Sequence, residues 1–123
     1  MNYNFDSERP IYLQIIDIIK NQIISGILKP GDKIPSVREL ALKFKVNPNT
    51  IVKSLYFLES DGLIYTDRTN GKFITSDLSI IKLHKEKYLK QKMINFLNDI
   101  SLLGYTKEEV VKLLMEVENN GWI

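Results

Sequence analysis

Two asparagines, a threonine and a lysine lie close together in this 123-residue chain, and their types suit recognition of nucleic acid. They are Asn47, Asn49, Thr50 and Lys53. An asparagine amide can bond adenine in bidentate fashion, and a threonine can offer its hydroxyl to a base or its methyl to thymine. A lysine one helical turn further along can reach a phosphate or a guanine. The same residues could instead only cap a helix and lie in solvent. The interpretation therefore depends on the elements that carry them.

Basic residues concentrate around this segment, although the whole chain has a net charge of only +2. Residues 36–53 hold four positive side chains against one negative, a net of +3. Residues 79–92 hold five lysines against one glutamate, a net of +4. Local positive charge on a nearly neutral chain suits contact with a polyanion. For the second segment a solvated helix face is the better interpretation.

The composition argues against several other kinds of chemistry. The chain has no cysteine, which excludes disulfides, thiolate nucleophiles and cysteine-ligated metals. Its single histidine, His84, lies among lysines without partner ligands, so we expect no metal site. No nucleophile–base pair and no glycine-rich phosphate loop stands out, so we expect neither an enzyme nor a cofactor. Without a signal peptide or a membrane-spanning run, the expected location is the cytoplasm.

Two helix starts follow each other closely in the basic segment. Ser36 and Glu39 have the spacing of a capping box. Asn47 is a good N-cap, and Pro48 suits the first position of a helix. The first of these helices should end near Lys45, and only a tight turn remains before the second. Two short capped helices joined in this way predict a helix-turn-helix.

The flanking segments complete a known arrangement of elements. An amphipathic helix is predicted from Pro10 to about Gly26, and Tyr12 belongs to its apolar face. After the helix-turn-helix, residues 63–66 and 72–75 are strand-like, and residues 67–71 are turn-like with an Asn-Gly pair. The order of three helices and a hairpin is that of a winged helix-turn-helix.

The rest of the chain predicts two more helices. One runs from Ser79 to about Leu103 and ends before a glycine. The other begins with a capping box formed by Thr106 and Glu109 and stops at 119–121. Both carry apolar faces. A closed winged domain has little surface left to cover them. The long helix must therefore fold back on it, pair with the final helix, or pair with another chain.

The predicted fold is therefore mainly α with a small β-hairpin. Residues 1–77 form an N-terminal winged helix-turn-helix for DNA binding, and residues 78–123 form a two-helix dimerisation region. A twofold dimer is favoured over a monomer because helix-turn-helix proteins match palindromic sites. The predicted dimerisation residues are Leu89, Met93, Phe96, Leu97, Ile100, Val110, Leu113, Leu114 and Val117.

Further contacts are predicted on the first helix of the motif and on the hairpin. Arg38 can clamp a phosphate or enter the groove, or it can pair with a neighbouring carboxylate. Arg68, Asn70 and Lys72 flank the hairpin tip, which a wing places over the adjacent minor groove or its phosphates. Gly71 would let the backbone approach closely. The alternative is a solvated turn in which Asn70 and Gly71 only supply positive φ.

Several motifs in the right order resemble the GntR family of bacterial transcription regulators. They are PIYLQI at 10–15, GILKPGDKIPSVRELA at 26–41, VNPNTI at 46–51 and LESDGLI at 58–64. The Asn-Pro-Asn-Thr segment and the short helical C-terminal region resemble the YtrA subfamily in particular. The resemblance covers roughly residues 10–75, which is well over half of the chain.

The resemblance implies a dimeric repressor of operons that often encode ABC transporters. It also implies DNA contacts at matching positions, and it adds Ser36 to those named above. The full set of predicted DNA-binding residues is Lys33, Ser36, Arg38, Asn47, Asn49, Thr50, Lys53, Arg68, Asn70, Gly71 and Lys72.

The chain departs from the usual family pattern in the second helix of the helix-turn-helix and in the wing. Pro48 replaces an arginine that most members carry, although proline is usual in the YtrA branch, and Val52 replaces a residue that is often basic. Lys72 replaces a threonine of the wing and would add a phosphate contact.

The sequence leaves an effector and a second function open. Residues 79–123 are too few to enclose a drug-sized pocket, so an effector site is left open only at the dimer interface. The alternative function is a winged-helix module that grips a protein without sequence-specific DNA binding. That module would show no salt-sensitive DNA retention and no palindromic footprint.

Overall fold

The structure is a computed structural model, and it describes residues 4–119. The elements are α1 (Ile11–Ile24), α2 (Val37–Phe44), α3 (Pro48–Ser60), β1 (Ile64–Asp67), β2 (Gly71–Ile74), α4 (Leu78–Ser101) and α5 (Lys107–Asn119). The chain divides into two compact units, one ending at Lys85 and the other beginning at Glu86, so the boundary falls inside α4. The predicted fold class, mainly helical with one small antiparallel hairpin, is confirmed.

The core of the first unit lies where α1, α2 and α3 meet the base of the hairpin. Its members are apolar and almost wholly removed from solvent: Ile15, Ile16, Ile19, Ile23, Ile34, Leu40, Ala41, Phe44, Ile51, Leu55, Leu58, Leu63, Ile64 and Ile74. The Ser54 hydroxyl is buried beside them and donates to the Tyr12 and Thr50 carbonyl oxygens at 2.9 and 3.0 Å. Each helix contributes one apolar face, as the predicted spacing requires.

The predicted caps of α2 and α3 are present. The Ser36 hydroxyl oxygen accepts the Glu39 N–H at 3.1 Å, and the Glu39 carboxylate accepts the Ser36 N–H at 3.3 Å. The Asn47 side-chain oxygen accepts the Asn49 N–H at 2.8 Å. Between the two helices Lys45 adopts left-handed geometry, with φ of 57°. These local interactions turn the chain sharply, so that α3 begins only a few residues after α2 ends.

The hairpin differs in detail from the sequence prediction. The strands are Ile64–Asp67 and Gly71–Ile74, shifted from 63–66 and 72–75, and residues 68–70 form a three-residue loop. Gly71 has a φ of 104°, but Asn70 does not share the positive φ that an Asn-Gly turn would give both. The physical reason is the Asp67 carboxylate, which accepts the Thr69 N–H at 2.9 Å and closes the turn itself.

The segment that precedes α2 extends the base of the hairpin. Lys33 forms an isolated antiparallel bridge with Phe73. The Ile34 N–H donates to the Lys72 carbonyl oxygen at 2.8 Å, and the Ile74 N–H donates to the Asp32 carbonyl oxygen at 2.8 Å. The wing is therefore attached to the loop before the helix-turn-helix through backbone hydrogen bonds.

The last two helices form close to the predicted bounds. The Asp77 carboxylate accepts the Ser79 N–H at 2.9 Å at the start of α4. The capping box of α5 is present, with both Thr106–Glu109 hydrogen bonds at 3.2 Å. The predicted stop at 120 and 121 lies outside the described residues. Within residues 4–119, no helix combines the length and the apolarity that crossing a bilayer requires.

Removing a buried side chain of α3 should destabilise the first unit strongly. Leu58 is fully buried, so Leu58→Ala should lower the free energy of unfolding by about 2–5 kcal/mol, through lost apolar burial and a residual cavity. Leu42, on α2, is 72% exposed, and Leu42→Ala should change the free energy of unfolding by less than about 0.5 kcal/mol. Urea denaturation at fixed protein concentration measures both. Equal losses would contradict the assigned core.

Candidate nucleic-acid interface

The N-terminal end of α3 brings together the residues that the sequence singled out. Asn49 is exposed and Thr50 is half-buried. The Asn47 side-chain oxygen is used by the cap, whereas no bond from its amide nitrogen occurs within residues 4–119. Together with residues of α1, Asn49, Thr50 and Lys53 line an open depression of about 370 Å³. The arrangement offers amide, hydroxyl and ammonium groups to one partner.

Tyr12 is a member of this site that the sequence reasoning placed only in the apolar face of α1. The Lys53 ammonium lies 4.0 Å from the centre of the Tyr12 ring, a cation–π distance. The Tyr12 ring also stacks on Phe57, with centroids 5.7 Å apart and planes at 25°. The contact holds the charge of Lys53 beside the start of α3. Nothing in the local sequence of Tyr12 signals it, because its partner lies on a different helix.

The exposed face of α3 continues past Lys53. Asn49, Val52, Lys53 and Tyr56 are three and four residues apart, so they share one side of the helix. Val52 is 53% and Tyr56 is 64% exposed. This face therefore offers hydrogen-bonding, apolar and aromatic contacts as well as positive charge. Neither Val52 nor Tyr56 is among the predicted DNA-binding residues.

The first helix of the motif contributes an unpaired cation. Arg38 is exposed and makes no hydrogen bond or ion pair within the described part of the chain. The carboxylate of its neighbour Glu39 is occupied by the cap, so the alternative of an Arg38–Glu39 pair does not form. Ser36 is exposed as well, and its hydroxyl still has a proton to donate because it acts as an acceptor in the cap.

At the wing tip, Arg68 and Asn70 are exposed, and the Asn70 amide donates to the Asp67 carboxylate at 3.3 Å. Lys33 reaches this tip from the loop before α2. A Cβ placed on Gly71 would lie 3.4 Å from the Lys33 Cε atom. The positive φ of Gly71 favours glycine there, whereas a Cβ at that distance would make an ordinary contact with the flexible Lys33 side chain. The Lys33 side chain thus lies beside Gly71 of the wing.

Lys72 makes its contacts inside the chain. Its ammonium lies 3.2 Å from a Glu59 carboxylate oxygen and 2.6 Å from the Thr66 hydroxyl oxygen. The Thr66 hydroxyl in turn donates to the other Glu59 oxygen at 2.6 Å. The predicted phosphate contact of Lys72 would have to break or share these bonds. Glu59 and Thr66 were not singled out from the sequence.

The predicted dimerisation residues lie on α4 and α5 in the second unit. Leu89, Met93, Phe96, Leu97, Leu113 and Leu114 are between 39% and 57% exposed. Ile100 and Val117 are half-buried, and Val110 is buried, so Val110 has little surface left to offer a partner. An apolar groove of about 270 Å³ is lined by Phe96, Ile100, Tyr105, Val110, Leu113, Leu114 and Val117. The two helices leave much apolar surface uncovered.

His84 has a structural contact. Its Nε2 atom lies 3.2 Å from the Asp61 carbonyl oxygen at the end of α3. Among the residues that the structure describes, no three His, Asp or Glu side chains are arranged to hold a metal ion.

Comparisons with known proteins place these features in a family. The family model described as bacterial regulatory proteins, gntR family, matches residues 11–74. The HTH-type transcriptional repressor YtrA of Bacillus subtilis is 37% identical over 112 residues, which cover 90% of this chain and 86% of that protein. The structure of a GntR family transcriptional regulator from Listeria monocytogenes matches with a TM-score of 0.83 and 41% identity. That match covers 92% of this chain and 99% of the other.

A further solved structure contains nucleic acid. AraR(DBD), in complex with operator ORR3, matches with a TM-score of 0.53 and 33% identity, over 61% of this chain and 88% of that one. In our structure, every predicted DNA-binding residue, from Lys33 to Lys72, lies within the segment that the family model matches.

The turn at the wing tip can be tested by titration. The Thr69 backbone N–H, followed by the Asn70 amide, holds the pKa of Asp67 below its ordinary 3.8. Asn70→Ala should therefore raise the pKa of Asp67. Because this pKa is depressed in the fold, the turn is stabilised above the unfolded pKa, and the stabilisation is lost as pH falls through the folded pKa. Carboxyl ¹³C NMR measures the titration.

The matched control for this titration is Asp77, whose lowered pKa comes from the Ser79 hydroxyl and N–H. Asn70→Ala should leave the pKa of Asp77 unchanged. An unaltered Asp67 midpoint, or equal shifts of both carboxyls, would contradict the assigned turn.

Proposed function

The chain belongs to the GntR family of bacterial regulatory proteins, as the sequence motifs predicted, and on this basis we propose that it is a homodimeric repressor. GntR proteins are DNA-binding transcriptional regulators. The finer proposal is that two copies bind one palindromic operator in double-stranded DNA. The proposed targets are its own operon and ABC transporter genes, and the latter rest on the resemblance to the YtrA subfamily alone. The proposed location is the cytoplasm, where bacterial DNA is read.

One observation carries the proposal: α3 exposes Asn49, Val52, Lys53 and Tyr56 on the side opposite its buried face. In helix-turn-helix docking, the second helix enters the major groove and its N-terminal residues meet base edges. Asn49 and Thr50 have the groups to read bases there. The stacking of Lys53 on Tyr12 leaves its ammonium at the rim of this surface, suited to a phosphate.

The remaining cations suit the backbone of the duplex. Arg38 has no partner within residues 4–119, so pairing it with a phosphate or a guanine breaks no existing bond. Arg68 and Lys33 lie at the wing, where a minor groove or its phosphates would pass. Each phosphate contact releases condensed counterions, so the affinity should fall steeply as salt rises.

Dimerisation is supported by the uncovered apolar surface of α4 and α5. An apolar surface of this kind usually marks an interface. A second copy of the chain can cover it through a twofold axis, in which the same surface is used twice. The twofold axis would also repeat α3 at the spacing of palindromic half-sites.

The first test is the effect of Arg38 on operator binding. Footprinting on DNA upstream of the coding region should identify a protected palindrome. Arg38→Ala should then weaken binding to this site by about 1–3 kcal/mol, or about 5- to 150-fold. The loss of a contacting cation should also lower the steepness of the salt dependence if the contact is to a phosphate. Fluorescence anisotropy over a salt series measures both quantities.

Lys20→Ala is the charge-matched control. Lys20 pairs with Asp61 at 3.6 Å, at the end of α3 remote from Asn47. Its removal should change the affinity by less than about twofold, since exposed ion pairs contribute little. Unchanged affinity in Arg38→Ala, or no palindromic footprint for the wild type, would count against the proposed function.

The second test addresses the dimer. Leu113 lines the apolar groove and is partly exposed, so Leu113→Asp should place a charge in the proposed interface. We expect the dissociation constant of the dimer to rise by about tenfold or more. Ile27→Asp, at an exposed position in the loop after α1, is the matched control and should leave it unchanged. Sedimentation equilibrium measures the constants, and a monomeric wild type would refute the dimer.

A further inference from the structure

Glu59, Thr66 and Lys72 form a cluster in which every polar side chain bonds the other two. Glu59 lies near the C-terminal end of α3, Thr66 on β1 and Lys72 on β2. We propose that this cluster, which we call the wing clamp, sets the position of the wing relative to α3 on operator DNA. Lys72 then acts through Glu59 and Thr66 as a positioning residue and does not contact phosphate. The inference rests on the proposed function.

The register of the hairpin places the wing clamp in line with the core. Thr66 pairs directly with Lys72, and Ile64 pairs with Ile74. Side chains two residues apart on a strand point to the same face. The buried Ile64–Ile74 pair therefore packs into the core, and the next pair on that face, Thr66–Lys72, meets α3 at Glu59.

A hairpin this small needs such a contact to keep its position. Each strand has four residues, and an isolated two-stranded hairpin is marginal in water. Tyr65 and Phe73 stack on its other face at 5.6 Å, but they are partners within the hairpin itself. The wing clamp is the side-chain contact in residues 4–119 that bonds both strands to α3.

The hydrogen bonds of the wing clamp are complementary. The Thr66 hydroxyl donates to one Glu59 oxygen and accepts from the Lys72 ammonium, which also donates to the second Glu59 oxygen. The Thr66 bond is the largest cause of a lowered pKa of Glu59; partial burial opposes it, and Lys72 adds to the lowering. Glu59 is thus ionised at neutral pH.

The charges argue against a phosphate contact by Lys72. A free lysine at the wing would have added one positive charge for DNA. Here the Glu59 carboxylate neutralises it, so the pair contributes no net charge to the interface. Turning Lys72 outward would break both of its hydrogen bonds and leave the Glu59 carboxylate without its cation, a modest cost for a partly exposed pair. Arg68, which has no partner among the described residues, is free to make that kind of contact.

The decisive experiment uses a variant whose operator affinity should change in opposite directions under the two roles of Lys72. Glu59→Gln frees the charge of Lys72 and adds one net positive charge to the protein. If Lys72 served phosphate, this variant would bind the operator more tightly. Under the positioning role, it should bind about 3- to 30-fold more weakly, because groups that share one network are coupled. Anisotropy with the footprinted operator and with unrelated duplex DNA measures the affinities.

Thr66→Val tests the same point without changing charge. It removes the central hydroxyl and keeps the shape of the side chain. Operator affinity should therefore decrease by about 3- to 30-fold, as for Glu59→Gln, while the salt dependence stays that of the wild type. Thr69→Val is the matched control, because Thr69 lies in the same hairpin and its hydroxyl makes no hydrogen bond within residues 4–119. Its affinity should equal that of the wild type.

Two substitutions of Lys72 distinguish a role in positioning the wing from a role in folding. Lys72→Met should lose operator affinity, and Lys72→Arg should regain most of it, since a guanidinium can still bridge Glu59 and Thr66. Affinity for unrelated duplex DNA should hardly change in Thr66→Val and Lys72→Arg, which keep the net charge of the wild type. Urea denaturation run in parallel shows that each variant is folded at the temperature of the binding assay.

Three results would overturn the positioning role: tighter operator binding by Glu59→Gln, wild-type affinity in Thr66→Val, or a salt slope lowered by about 0.9 in Lys72→Met, the value for one lost phosphate contact. Failure of the proposed function looks different, because the wild type would then give no palindromic footprint. In that case the wing clamp would have no operator to serve, and the inference would fall with it.

Discussion

Burial of one side of α3 is the constraint on which the rest of the first unit depends. Ile51, Leu55 and Leu58 pack into the core with hardly any surface left exposed. Because a helix is a rigid rod with a fixed angular spacing, burying these residues determines which side chains face outward. Asn49 and Lys53 therefore project to solvent as a consequence of core packing. The exposed face of α3 and its buried face are thus two sides of one element.

The polar groups around this helix serve the fold and still leave chemistry for a ligand. Asn47 uses its side-chain oxygen as the cap and retains its amide N–H groups. Ser36 accepts in the capping box and keeps a hydroxyl proton to donate. Glu39 is held in the same box, which leaves Arg38 without an intramolecular carboxylate. The caps thus determine both where the helices begin and which groups beside them remain free.

Local interactions could be predicted from the sequence, and contacts between distant elements could not. The capping boxes and the Asn47 cap depend on residues a few positions apart, which is why their spacing predicted them. Lys72 was expected to contact phosphate because its charge is visible in the sequence, whereas Glu59, on another element, is not visible as its partner. Tyr12 likewise fits the apolar pattern of its own helix. The sequence gives no sign of its contact with Lys53, because Lys53 lies on α3. The family motifs predict which positions contact DNA, but they carry no information on these pairings.

The wing is attached to the first unit in two places, by backbone bonds at its base and by side-chain bonds to Glu59. Backbone bonds to Asp32 and Ile34 and burial of the Ile64–Ile74 pair hold the base of the hairpin. The next pair on that face, Thr66 and Lys72, extends the contact with α3 toward the tip through Glu59. Since Glu59 belongs to the helix whose other end carries Asn49, a displacement of the wing acts on the same rigid element that would read the bases. Under the proposed function, the wing clamp therefore couples the position of the wing to that of α3.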